Sequence, residues 1–174
     1  PCPRRGRSSG TKFSSRAVEG ACLGDRMREL RGEVAVITGG ASGIGLGMAR
    51  AFAGAGMRLV LADIELPAAE SAARALRARG AEVRPLRIDV TDRGSVEALA
   101  RDVFAVEGMV HVLCNNAGVC VEAPVAGGSD DDWEWLFAVN VHGARNVLRA
   151  FVPRLRAQGE PAHVVNTGSF NSLI

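Results

Sequence analysis

Between Glu33 and Ser169 the chain repeats one pattern: a short β-branched apolar run, then a longer stretch rich in Ala, Arg and Leu. EVAVIT (33–38), RLVLAD (58–63), EVRPLRIDV (82–90), MVHVLCNNAG (109–118, a strand and its turn) and AHVVNTGS (162–169) read as five strands. Residues 43–56, 66–80, 91–108 and 129–159 read as the helices between them. Most of the strand runs are apolar throughout rather than alternating, so both faces of each strand need cover. Strand–helix–strand order with two covered faces leaves one main solution, a parallel sheet with helices on both sides. The expected fold class is therefore α/β, a doubly wound parallel sheet of about five strands.

Local signals punctuate the helices. Pro67 lies near the start of 66–80 and Gly80 just past its end. Thr91 or Asp92 is positioned to cap 91–108, and Ser129 to cap 129–159, whose first turn carries Asp130–Asp132. Those three acids read as a solvated helix start. Pro153 is expected to kink or divide the long helix. Trp133 and Trp135 are expected to pack it, and His111, His142 and His163, which form no triad pattern, are read as structural.

Composition excludes several classes. With 47% hydrophobic residues in 174, the chain has enough apolar surface to build a core. No apolar run approaches the ~18–20 residues needed to span a bilayer. Residues 1–26 carry six basic against two acidic side chains, a net of +4, and lack apolar periodicity. They read as a disordered basic tail, and Met27 as the opening of a single domain over 27–174. That domain has 15 basic and 17 acidic side chains, so it offers no electrostatic footprint for nucleic acid. Cys2, Cys22, Cys114 and Cys120 form no CxxC pair and have no His at ligand spacing. No metal site is expected, and free thiols point to a reducing, cytoplasmic setting.

The sharpest local motif is TGGASGIG (38–45), where a strand gives way to a helix. Its glycines Gly39, Gly43 and Gly45 are spaced GxxxGxG, with Ser42 and Ile44 between them. A dinucleotide pyrophosphate is anionic and must approach the backbone closely. Glycine permits that approach, and the helix start offers unpaired N–H groups and a positive dipole end. Glycine-rich strand–helix turns also occur without a ligand. Here a second feature joins the first: Asp63 ends the second strand, 24 residues beyond Gly39. A carboxylate near that offset accepts hydrogen bonds from the adenosine ribose hydroxyls. It would repel a 2′-phosphate by roughly 1–4 kcal/mol at ~4 Å, which favours NAD over NADP. The glycine turn holds no Arg or Lys to compensate, and Ile64 follows the acid.

Further segments complete an ordered set: Asp89-Val90 at the end of strand three, NNAG (115–118), VNVHG (139–143) and HVVNTGS (163–169). In this order and spacing the chain resembles the short-chain dehydrogenase/reductase family over essentially all of 27–174. The resemblance implies a Rossmann-like fold and an NAD(P)-dependent oxidoreductase that interconverts a secondary alcohol and a ketone by hydride transfer, with Asp63 favouring NAD. It implies that Asp89 and Val90 contact adenine, and that Asn116, Ala117 and Gly118 line the nicotinamide-ribose side. It places the family's active-site Asn at Asn140, anchoring a water in a proton relay, and its active-site Ser at Ser169. The implied partners are a small alcohol or ketone and, for the complete protein, further copies of itself, with no nucleic acid or membrane.

The match breaks after Ser169. The family's general acid/base is a Tyr about a dozen residues beyond that Ser, followed four residues later by a Lys. This chain contains no Tyr, its one Lys is Lys12, and five residues follow Ser169. A positioned general acid typically contributes 10²–10⁴-fold. The expectation is a chain that carries the cofactor-binding part of the fold, lacks the last helix and strands, and does not turn over alone. The alternative is a non-catalytic NAD-binding or regulatory module.

Overall fold

The computed structural model describes residues 30–121 and 127–168. The basic tail 1–26 and Ser169 lie outside the described residues. The strands are β1 (Val34–Thr38), β2 (Arg58–Asp63), β3 (Val83–Arg87), β4 (Val112–Asn115) and β5 (His163–Asn166). The helices are α1 (Gly43–Gly54), α2 (Leu66–Arg77), α3 (Arg93–Glu107), α4 (Asp130–Phe137) and α5 (Ala144–Ala157). A π-helical turn, Ala138–Gly143, joins α4 to α5.

All strands pair in parallel, in the order β3-β2-β1-β4-β5. The order runs outward in both directions from β1, as the doubly wound pattern requires. Register aligns Thr38 with Ala62, Ile37 with Cys114, Asp63 with Arg87, and Asn115 with Asn166. Parallel pairing therefore brings every strand's carboxyl end to one edge of the sheet. The winding reverses between β1 and β4, and a crevice forms there between their outgoing loops.

The period-two geometry of a strand divides β1 between two cores. Val34 and Val36 pack on the side of α3 and α5, with Val103, Val147, Phe151 and Leu155. Ala35 and Ile37 pack on the side of α1 and α2, with Ala49, Leu61, Ala73 and Leu76. All five residues of β1 are buried, which accounts for the continuous apolar run. Phe151, fully buried, meets Phe104 across the α3–α5 contact with ring centroids 6.1 Å apart. A side chain of that size contributes roughly 1.5–3 kcal/mol through burial.

Three expectations need correction. The long helix is not divided at Pro153, which sits inside α5. The interruption falls at Ala138–Gly143, where the backbone widens into the π turn. Trp133 and Trp135 do not pack it: no residue of α4 is buried, and the two indoles are 40% and 48% exposed. Trp133 instead lies against Phe137 on the same helix, with centroids 6.3 Å apart. The third strand is shorter than read, ending at Arg87. Ile88–Asp92 form a turn in which the Asp92 amide donates to the Asp89 carbonyl.

The caps follow the sequence. Asp92 accepts from the Gly94 amide at the head of α3. Ser129 and Asp132 cap α4 reciprocally, each side chain accepting from the other's backbone N–H. Cys114 is fully buried in β4, and burial pushes its thiol pKa up to about 11. His111 is structural: its Nδ1 accepts from the Val34 amide, and its Nε2 faces Glu33. His142 and His163 are exposed. No helix among the described residues is long and apolar enough to cross a membrane.

Candidate functional site

The glycine turn leaves β1 at Thr38 and enters α1 at Gly43. Gly39 has φ +65°, a conformation that L side chains rarely adopt. A Cβ on it would lie 2.9 Å from the Ala117 Cα, so the turn presses against the loop after β4. Gly45 is needed for space: its Cβ would stand 2.0 Å from the Gly39 carbonyl oxygen. Gly43 differs from both. Its φ is +49°, and a Cβ there would meet nothing within 4 Å. The head of α1 thus presents bare backbone to open space. Ser42 occupies the N-cap position in extended conformation and makes no side-chain cap bond. The turn therefore keeps N–H groups and a hydroxyl available above a helix N-terminus, the donor set that a pyrophosphate requires. Ile44, beside them, is 68% exposed.

Asp63 stands next to this turn at the end of β2. One carboxylate oxygen accepts the Ala41 amide at 3.0 Å, and the other accepts the Glu65 amide at 3.1 Å. Each carboxylate oxygen has a second lone pair, so the group can still accept two ribose hydroxyls. Ile64, half exposed, follows it.

Asp89 and Val90 leave β3 on the same edge. The Asp89 carboxylate accepts from the Thr91 hydroxyl at 2.7 Å and the Thr91 amide at 2.9 Å. The Thr91 hydroxyl above all, aided by backbone N–H groups and the Arg87 charge, holds the Asp89 carboxyl below the usual aspartate value of 3.8 against the opposing effect of desolvation. The Asp89 amide donates to the Ser95 hydroxyl.

The loop after β4 supplies the facing wall. Asn115 is buried and donates through its carboxamide to the Ala144 carbonyl and the Asn166 side chain. Asn116 donates through its carboxamide to the carbonyls of Thr38 and Gly39. Its side-chain oxygen accepts from the Thr167 hydroxyl at 3.0 Å. Ala117 and Gly118 follow, and the Asn140 side chain reaches this loop from the π turn. It accepts from the Val119 amide and donates to the Val119 carbonyl, both at 2.9 Å.

The structure thus brings Gly39, Ser42, Gly43, Ile44, Gly45, Asp63, Ile64, Asp89, Val90, Asn116, Ala117, Gly118 and Asn140 to one edge of the sheet. Gly168 is the last described residue before Ser169. Thr38 opens the glycine motif, but nothing in the sequence singles it out from that motif. Val119 and Asn146 carry no sequence signal of their own, Thr167 lies within HVVNTGS without standing out from it, and Thr91 is marked only as a possible helix cap. Val119, Asn146 and Thr167 act through hydrogen bonds to partners distant in the chain, and Thr91 through one to the Asp89 carboxylate.

A doubly wound parallel sheet with a glycine turn and an acid at its switch point is a Rossmann-like fold. The particular family follows from comparison: the model of the short chain dehydrogenase family matches residues 33–174. The chain belongs to the short-chain dehydrogenase family of oxidoreductases, which work with a nicotinamide cofactor.

The C alpha-dehydrogenase of Sphingobium sp. (strain NBRC 103272 / SYK-6) is 37% identical over 149 residues, spanning 85% of this chain and 49% of that one. The 1-deoxy-11-beta-hydroxypentalenate dehydrogenase of Streptomyces exfoliatus is 42% identical over 147 residues, spanning 83% and 54%. Among solved structures, a short chain dehydrogenase/reductase from Burkholderia phymatum in complex with NAD superposes with a TM-score of 0.81. It is 44% identical, and the match covers 85% of this chain and 53% of that one. The chain spans about half the length of the curated relatives it matches.

Proposed function

We propose that this chain forms the NAD-binding part of an oxidoreductase that interconverts a small secondary alcohol and a ketone. When bound, the nicotinamide accepts or donates a hydride. The chain's own residues bind and orient. Gly39, Ser42, Gly43, Ile44 and Gly45 hold the pyrophosphate, Asp63 and Ile64 the adenosine ribose, and Asp89 and Val90 the adenine. Asn116, Ala117 and Gly118 border the nicotinamide side. Ser169 hydrogen-bonds the substrate oxygen, and Asn140 belongs to the proton relay.

The observation that carries the cofactor assignment is Asp63. Its carboxylate is held against the glycine turn by the Ala41 amide, and the adjoining residue is Ile64 rather than a base. An anion fixed there accepts ribose hydroxyls and repels a 2′-phosphate. Titration of the full chain by calorimetry should show heat with NAD and weaker binding of NADP. No heat with either would end this reading.

A second reading is favoured by composition: the chain contains no Tyr. A serine hydroxyl polarises a carbonyl but is a poor proton donor, so the chain as it stands binds cofactor without turnover. NAD mixed with a panel of secondary alcohols should give no rise in absorbance of the reduced cofactor; turnover would refute this second reading. We place the cofactor-binding unit at 27–174, with 1–26 a basic tail. We further infer a cytoplasmic setting and self-association of the complete protein.

A further inference from the structure

We propose that Asn146 is a positioning residue that sets the adenine end of the cofactor site; the proposal rests on the assignment of Asp89–Val90 to adenine made above. Asn146 lies on α5, on the far side of the turn that follows β3, and it is 94% buried. A buried carboxamide is costly unless its donors and acceptors are matched. Its Nδ2 donates to the Val90 carbonyl at 3.1 Å and reaches the Thr91 carbonyl at 3.5 Å. Both partners are acceptors, so the nitrogen must face them.

The helix is shaped around this contact. Gly143, one turn earlier, has no room for a side chain: a Cβ there would lie 2.7 Å from Val90 Cγ2. Val139 and Val147 flank the same spot and share the core cluster with Val90. Backbone at Gly143 and carboxamide at Asn146 thus clamp Val90 from one side. On the other side, the Asp89 amide is held by Ser95 and the Asp89 carboxylate by Thr91. An Ile or Leu at position 146 would fill the volume and strengthen the core. It would leave the Val90 carbonyl without a donor and let the turn rotate. The same helical stretch carries Asn140, which holds Val119 beside the nicotinamide wall. One rigid segment, residues 140–146, therefore holds a loop at each end of the crevice.

The test separates the two ends of the cofactor. Full-length wild-type chain and the variants Asn146→Leu and Asn146→Asp are titrated with NAD, AMP and nicotinamide mononucleotide. Leu removes the donor, and Asp replaces it with a second acceptor against the carbonyls. Both variants should weaken AMP and NAD by the same factor, about fivefold or more, as loss of a buried hydrogen bond implies. Nicotinamide mononucleotide should stay within twofold of wild type. A merely structural role would weaken all three ligands together or none. Folded variants that bind AMP as wild type does overturn the proposal and leave the cofactor assignment intact. Wild-type chain that binds neither NAD nor AMP overturns both. A measurement on the unmutated chain covers variants that fail to fold: hydrogen exchange of the Asn146 carboxamide by NMR. Its protons should exchange slowly, and more slowly with saturating AMP. Exchange at the solvent rate would overturn the proposal.

Discussion

Asn116 grips Thr38 at two points: its backbone amide donates to the Thr38 hydroxyl at 2.9 Å, and its carboxamide donates to the Thr38 carbonyl at 3.1 Å. The same hydroxyl accepts the Ala117 amide at 3.1 Å and donates to the Cys114 carbonyl. A single side chain thus ties the exit of β1 to the exit of β4, the two strands that bound the crevice.

Thr38→Val keeps the shape and removes that hydroxyl, leaving the amides of Asn116 and Ala117 without an acceptor in a buried place. Each such loss costs about 1–3 kcal/mol. Denaturant unfolding should show Thr38→Val destabilised by about 2–4 kcal/mol, and Thr38→Ser by less than about 1 kcal/mol. Equal stability of the two variants would show that the hydroxyl network carries no weight.

Two glycines of α1 should behave in opposite ways. Gly45→Ala places a methyl 2.0 Å from the Gly39 carbonyl, so the turn must move. The expected cost is about 1–3 kcal/mol or more, with loss of NAD binding. At Gly47 a Cβ meets nothing within 4 Å. Gly47→Ala should stabilise by roughly 0.5–1 kcal/mol, because alanine loses less backbone entropy in a helix. Thermal melts of both variants decide the matter.

Asp63→Ser should relax the preference for NAD, and the ratio of NAD to NADP affinity should fall toward one. Because the Ala41 amide loses its acceptor, NAD affinity itself should fall as well. A competition titration reads both quantities. An unchanged ratio would place the discriminating charge elsewhere.

Acid should expose the Asp89–Thr91 turn. The folded chain holds the Asp89 carboxyl below 3.8, chiefly through the Thr91 hydroxyl. A depressed carboxyl pKa contributes stability that is fully present above the unfolded value and lost as pH falls through the folded one. Glu97 is lowered likewise by its hydrogen bond to Arg154. Thr91→Val should flatten the loss of stability below about pH 4, measured as the urea midpoint against pH. A curve parallel to wild type would show that the hydroxyl does not set the Asp89 ionisation.

The five strands and the helices between them were legible in the sequence because hydrophobic period is local: a strand buried on both faces is apolar over a few residues, and Val34–Thr38 is such a run. The glycine turn and Asp63 were legible for the same reason, since their chemistry depends on spacing within one βαβ unit. Short segments did not tell where helix 129–159 is interrupted. The π turn at 138–143 lies where the chain meets Val90 and Val119, both far away in sequence. Nor did they show that Trp133 and Trp135 face solvent, since an aromatic at helical spacing packs only if a neighbour arrives.

What the sequence alone determined is the list of elements and the residue types that an anionic, ribose-bearing ligand would meet. Which of them touch is settled only in the folded chain. Thr38 is bound to Asn116, Asn140 to Val119, and Asn146 to Val90, across separations of 78, 21 and 56 residues. Hydrogen bonds over such distances depend on strand order and on helix placement against the sheet. Those follow from the burial of the whole core at once and not from any window of the chain.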